Sequence, residues 1–291
     1  MIVDLSKITS GFSDKLRAIT FYIAVNNLKL NKKSKILYVY EKRTKECPFR
    51  FIDYCKVKNI KIVKLKKWKK PEINLNSYNT EITLKNVLKN NPSKLIDNNL
   101  LFDEWKKSYK KLLPGNKIEF KIKKNELPKN IIGLHIRTTD RMIKLKEIFK
   151  IQFKDTIFDI QLYYFEKNIH KILKKISNSK NVFVASDSKQ IKDKIINKLK
   201  KEHYKVYINN ARFRKKFRQT SGEDFLIDFF SLIKCQTIIS TVGAGVTQSI
   251  ALIKKREIIN WNNQTNKFFL LRLFAIFLIF LKKIKNNLKL I

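Results

Sequence analysis

Behind Gly11 the chain carries Leu16, Ile19, Thr20, Ile23 and Asn27 at helical spacing, with Phe12 ahead of them, which predicts a helix capped by Ser13 and running to about residue 30. The run KILYVY at 35–40 is rich in β-formers, 49–57 has the pattern of a short helix, and 60–65 that of a second strand. Helical patterns follow over 81–90 and 100–113. Pro114-Gly115 then opens a charged stretch reaching Asn130, with Pro128 inside it, where a domain boundary is expected. The second half alternates more cleanly. Strands are predicted at 131–137 (IIGLHIR), 181–186 (NVFVAS), 205–208, 237–240 and 256–260, with helices over 155–176, 189–201, 222–235 and 246–253 between them. Strand and helix in alternation imply a parallel, doubly wound α/β sheet, whose ligands sit at the carboxyl ends of the strands.

At 291 residues and 34.6 kDa the chain fits two ordinary domains, and 44% hydrophobic residues supply cores for both. Six Gly and five Pro exclude collagen-like and low-complexity chains. A net charge of +40 is the feature that normally announces nucleic acid or an anionic membrane. Here 54 of the 64 cations are Lys, spread over every segment, so the charge reads as a drift of the whole composition. Its densest run, 56–70, lacks the Arg and aromatic interleaving of a base-stacking platform and reads as a solvated or membrane-facing edge. Cys47, Cys55 and Cys235 form neither a CxxC nor a zinc pattern, which fits a reducing compartment. Charges through the first thirty residues interrupt any cleavable signal, so a cytoplasmic chain is expected. Residues 268–281 are apolar except Arg272 and are followed by Lys282, Lys283 and Lys285; at this length they read as an interfacial or packed helix rather than a membrane span.

Candidate chemistry gathers where the strands end. In the segment from Gly133 to Arg141, period 2 puts His135 and Arg137 on one side of a strand, with Asp140 just beyond. An Arg there either clamps a phosphate through two parallel hydrogen bonds or pairs with an Asp at a domain edge. Thr241, Gly243, Ala244 and Gly245 leave a strand and open a helix, so they form either a phosphate-binding turn or an ordinary helix start. Asp187 follows a strand and is either a ligand residue or a helix cap. Asp228 lies in FLIDFFSLI, where an unpaired carboxylate is costly or takes up a proton. A donor-rich heterocycle edge, such as guanine N1–H and N2–H₂, or a structural Arg would satisfy it. His170 and His203 read as surface residues. The chain has no HExxH and no Asp-x-Asp, which disfavours a metal-bound diphosphate.

Residues 133–141, GLHIRTTDR, resemble the His-Val-Arg-Arg-Thr-Asp-Lys motif of the α1,6-fucosyltransferases. Three further blocks resemble that family in the same order: Gly11–Leu16 its amino-terminal glycine loop, Phe183–Asp187 its Leu-Ala-Thr-Asp strand end, and Asp228–Leu232 with Ile239–Thr241 its Asp-Ile-His-Phe-Leu-Ser…Cys-Thr block. Together they span about residues 8–255. The resemblance implies an α/β chain of two Rossmann-like domains facing a cleft, of GT-B type: an acceptor-side domain at 1–127, a nucleotide-sugar domain at 128–263, and a tail helix at 264–291. It further implies a metal-independent, inverting transfer of fucose from GDP-fucose to a glycan, with no cofactor. In that reading Arg137 holds the β-phosphate, His135 and Asp228 the guanine region, and Gly11 and Phe12 meet the donor from the opposite domain. Asp187, Thr241 and the 243–245 turn complete the site. The family's second Arg is Thr138 here, its catalytic Glu falls on Leu145, and its phosphate-binding Ser aligns with Ala244. Asp140 and Glu147 are left as candidate bases. The other readings are a different nucleotide-sugar transferase, a non-catalytic nucleotide- or glycan-binding module, and a basic nucleic-acid-binding protein. Peripheral contact with the inner face of an anionic membrane is expected through residues 266–291.

Overall fold

The computed structural model describes residues 1–8, 11–28, 34–44, 47–71, 98–136, 169–211, 213, 220–240, 245–254 and 258–260. The first half is built on a parallel sheet of β1 (Ile2–Asp4), β2 (Ile36–Tyr40) and β4 (Lys61–Lys64), in the order β1-β2-β4. Helix α1 (Phe12–Leu28) packs against it and is buried on nearly every side, from Phe12 to Asn26. An all-round apolar helix needs neighbours all round. The sheet supplies one through Val3, Leu37 and Val39, α2 (Asn98–Tyr109) another, and α7 (Gly245–Lys254) a third. Trp105 of α2 donates its indole N–H to Thr20 Oγ1 at 3.0 Å, so even the polar gap in the α1 stripe is filled.

Three expectations of local structure are corrected in this half. Helix α1 starts at Phe12 rather than after a Ser13 cap, because Gly11 offers the carbonyl that accepts Asp14 N–H at 3.1 Å. Residues 49–57 are not a helix: a single 3₁₀ turn, Phe51–Asp53, leads into β3 (Cys55–Val57). Likewise α2 stops at Tyr109, and Leu112–Pro114 forms β5, antiparallel to β3. Cys55 and Val57 are buried while Lys56 is exposed, the period of a strand and not of a helix. The charged stretch expected as a boundary contains α3 (Asn116–Lys124), whose Ile118 and Ile122 are buried one turn apart.

The second half follows its pattern closely. Strands β6 (Ile132–Ile136), β7 (Asn181–Ser186), β8 (Lys205–Ile208), β9 (Thr237–Ser240) and β10 (Ile258–Asn260) are all parallel, in the order β10-β9-β6-β7-β8. The strand that enters first therefore lies centrally, the next two spread to one side and the last two to the other: a doubly wound sheet whose order reverses between β6 and β9. Helix α4 is described over 169–176, followed by α5 (Lys189–Lys201) and α6 (Gly222–Lys234). Period 2 divides the sheet residues between two cores. Leu134, Val182, Val184 and Ile239 meet Ile169, Leu173, Ile195 and Leu199 on one face. On the other, Phe183, Ala185 and Ile238 belong to the core that contains α6 and α1. Gly133 lets α6 seat on β6, since a Cβ there would stand 2.8 Å from Leu232 Cδ2 and 3.0 Å from Cys235 Sγ.

One aromatic seam joins the halves. The Phe12 ring lies 5.5 Å from Phe49, 5.5 Å from Phe225 and 5.6 Å from Phe229. Gly222, at the first turn of α6, presses so closely on the Phe49 ring that any Cβ would run into it. At the rim Arg17 donates to Gln248 at 2.9 Å, and Lys117 and Lys121 of α3 both grip Glu223 of α6. The helical pattern at 81–90, most of that at 155–176 and the tail at 264–291 lie outside the described residues. Among the described residues no helix is long and apolar enough to cross a membrane.

Candidate functional site

Open parallel sheets bind ligands where the strand order reverses, because the connections leaving the two central strands diverge there to opposite faces. In this chain that place lies between the carboxyl ends of β6 and β9. His135 and Ser240 are direct partners in the ladder. Their side chains also meet, His135 Nδ1 lying 3.3 Å from Ser240 Oγ, and Ser240 Oγ lies 3.1 Å from Thr247 Oγ1 on α7. The chain of contacts fixes the imidazole against β9. It also ties the last residue of that strand to the first turn of α7, the helix end whose positive dipole favours an anion. As period 2 requires, His135 faces the α6 side with Gly133, and Leu134 and Ile136 face the other core.

Asp228 on α6 forms a second wall. Its side chain is 6% exposed, and Oδ1 has no hydrogen-bond partner among the described residues. Burial pushes its pKa from 3.8 up to about 7; Lys192 opposes that rise, Asp224 adds to it, and a hydrogen bond from the Asn209 amide opposes it. Asn209 follows β8 and donates Nδ2–H to the Asp224 carbonyl at 3.1 Å, while its own carbonyl accepts Lys192 Nζ at 2.9 Å. Lys192 is itself 2% exposed. One turn beyond Asp228, Ser231 Oγ is also buried without a partner among the described residues. An acceptor kept dry and half-satisfied at the carboxyl edge of a sheet is poised for a ligand bearing N–H groups.

The structure brings His135, Asp187 and Asp228 to this edge. Asp187 follows β7 and is half-buried; the cap of α5 is Ser188, so Asp187 is not the helix cap. Gly245 is the first residue of α7. Gly11 precedes α1, and Phe12, at 2% exposure, is enclosed by the seam rings rather than open to a ligand. Arg137, Asp140, Glu147, Thr241, Gly243 and Ala244 lie outside the described residues; they follow β6 and β9 in the chain. Sequence reasoning missed Lys192 and Asn209. A signal for the first was present: Lys192, Ile195, Ile196 and Leu199 keep the spacing of an apolar stripe, so a lysine stood in a core position.

No family model and no curated protein sequence matches the chain. Solved structures do. Fucosyltransferase NodZ from Bradyrhizobium is similar over 90% of this chain and 95% of its own, at 16% identity and a TM-score of 0.54. NodZ α-1,6-fucosyltransferase soaked with GDP-fucose matches over 87% and 91%, at 15% identity and 0.50. POFUT1 in its apo-form matches over 89% and 96%, at 13% and 0.50. The chain shares their fold, two Rossmann-like halves of the GT-B type.

Proposed function

We propose that this chain is a glycosyltransferase that moves fucose from GDP-fucose to a glycan hydroxyl, inverting the anomeric centre and using no metal ion. The observation that carries the reading is the buried, half-satisfied carboxylate of Asp228, set beside Lys192 of α5 and Asn209 after β8 at the carboxyl edge of the second sheet. It lies in a fold shared with NodZ soaked with GDP-fucose. Guanine N1–H and N2–H₂ donate to Asp228, with His135, held by Ser240, beside the base. Arg137 follows Ile136 directly and clamps the β-phosphate, and the N–H groups at 243–245 take the remaining oxygens. As the sugar–phosphate bond breaks, negative charge builds on GDP. Lacking an Asp-x-Asp, the chain meets that charge with a guanidinium and a helix start. Asp140 or Glu147 takes the proton of the acceptor hydroxyl, whose oxygen bonds to the anomeric carbon on the face opposite the departing GDP.

Release of GDP from GDP-fucose, GDP-mannose and UDP-N-acetylglucosamine tests the reading. Turnover of GDP-fucose is expected, and Arg137→Ala should lower it by about 10²–10³, the usual cost of losing one donor to developing charge. Failure to bind any of the three overturns the proposal. GDP binding without turnover makes the chain a binding module, an outcome to which Leu145 at the family's Glu position gives weight.

A further inference from the structure

The run 56–70 carries eight lysines and no acid, and near its end stands Trp68, 52% exposed. A single exposed apolar side chain is ordinary on a protein surface, so exposure alone singles out nothing. This ring, however, is held in place. Its indole N–H donates to Asp4 Oδ2 at 2.8 Å, and Asp4 is 3% exposed at the carboxyl end of β1. The other Asp4 oxygen accepts from Ser6 N–H at 2.8 Å and Ser6 Oγ at 2.6 Å, so the anchor is complete without a ligand. Trp68 lies just beyond β4 and reaches back past β2 to β1, which sets it across the carboxyl edge of the first sheet. That edge is also where α1 begins, with Phe12 packed on Phe225 and Phe229 of α6, so it adjoins the half that holds Asp228. Lys66, Lys67, Lys69 and Lys70 flank Trp68 in the chain and are all exposed.

We propose that Trp68 and these four lysines form an acceptor subsite for an acidic oligosaccharide, a sugar chain bearing carboxylate or phosphate groups. The inference rests on the proposed transferase reading and names its acceptor class. A ring fixed by its polar edge offers its faces to the C–H surface of a pyranose at little entropic cost. The lysines supply the complementary charge and no competing acid lies between them. The position follows from the chemistry: with the nucleotide on the second sheet, the acceptor hydroxyl must come from the facing edge of the first.

Calorimetry with the full chain tests this, using tetragalacturonate and the neutral tetramer of N-acetylglucosamine as matched probes and GDP-fucose as a separate titrant. Preferential binding of tetragalacturonate is expected, weakened about tenfold by Trp68→Ala and by raising salt from about 0.05 to 0.5 M. Replacing Lys66, Lys67, Lys69 and Lys70 together by Gln, which leaves the Asp4 anchor untouched, should erase the preference even if Trp68→Ala folds poorly. Equal binding of the two probes, no binding of either, or indifference to the Gln variant overturns the subsite. So does Trp68-dependent binding to vesicles of phosphatidylglycerol in place of the sugar. GDP-fucose affinity should not change in either variant; its absence in the unmutated chain would instead sink the donor reading.

Discussion

Two buried acids near the carboxyl edges of the two sheets behave in opposite ways. Glu41, just after β2, is closed by its own chain: Oε1 accepts Lys15 Nζ at 2.8 Å and Phe51 N–H at 2.9 Å, and Oε2 accepts Ile52 N–H at 3.4 Å. The side chains of both ion-pair partners are fully buried, and Lys15 spends a second donor on the Lys42 carbonyl at 3.0 Å. Asp228 has a lysine within electrostatic reach but an oxygen left over, and its pKa rises to about 7. On the proposed reading, burial is therefore not what separates a structural acid from a binding one. The difference is whether the chain's own donors use up its lone pairs.

The comparison breaks most sharply at the first site. Glu41→Leu leaves the Lys15 ammonium buried with only a carbonyl for company, and losing one partner of such a pair costs roughly 3–5 kcal/mol. At about 2–4 °C per kcal/mol for a chain of this size, thermal unfolding should fall by about 10 °C. A loss under about 1 kcal/mol would mean that the pair is not closed as described. Replacing both partners, Lys15→Met with Glu41→Leu, should recover most of the stability, as a double-mutant cycle would show.

Asp228→Asn should act the other way. Because the folded pKa is raised above the unfolded one, the folded chain holds a proton that the unfolded chain gives up. The stabilisation from that proton is fully present below about pH 4 and is lost as pH climbs toward about 7. The amide escapes this loss, so denaturation midpoints should show the variant gaining on the parent across that window and keeping a constant lead above it. Affinity for GDP at pH 8 should drop by about 10–100-fold, since hydrogen bonds to a charged acceptor contribute roughly 1.5–3 kcal/mol. A variant that binds GDP as the parent does would return Asp228 to the structural class.

What the sequence disclosed follows the same division. The second sheet was legible almost to the residue because each strand is a short apolar run between helices with one apolar face, as at 181–186 and 189–201. The first was less so. Strand β1 has three residues, IVD, too few to show a period, and β3 and β5 are short enough to hide inside helical patterns. Asp228 could be singled out because a carboxylate among phenylalanines must find a partner, whether a ligand or a structural cation. Lys15 and Lys192 passed unnoticed among 54 lysines, although each stands in a buried stripe: Lys15 with Leu16, Ile19 and Ile23, Lys192 with Ile195 and Leu199. In a composition this basic a lysine carries little information by its identity and a great deal by its phase.

The smallest expected effect discriminates most finely. If guanine N–H groups complete the Asp228 carboxylate, binding favours its charged form and pulls the pKa back down from about 7. Part of the Asp228 population is protonated near neutrality before GDP arrives, so association must expel a fraction of a proton. Calorimetry at pH 6 in two buffers of different protonation heat should show that release. It should fade above pH 8, where the group is already ionised, and vanish in Asp228→Asn. Glu41 provides the control, because its lone pairs are spoken for and Lys15→Met should leave the proton count unchanged wherever the variant folds. Proton uptake on binding, or release that persists in Asp228→Asn, would mean that the carboxylate does not meet the base.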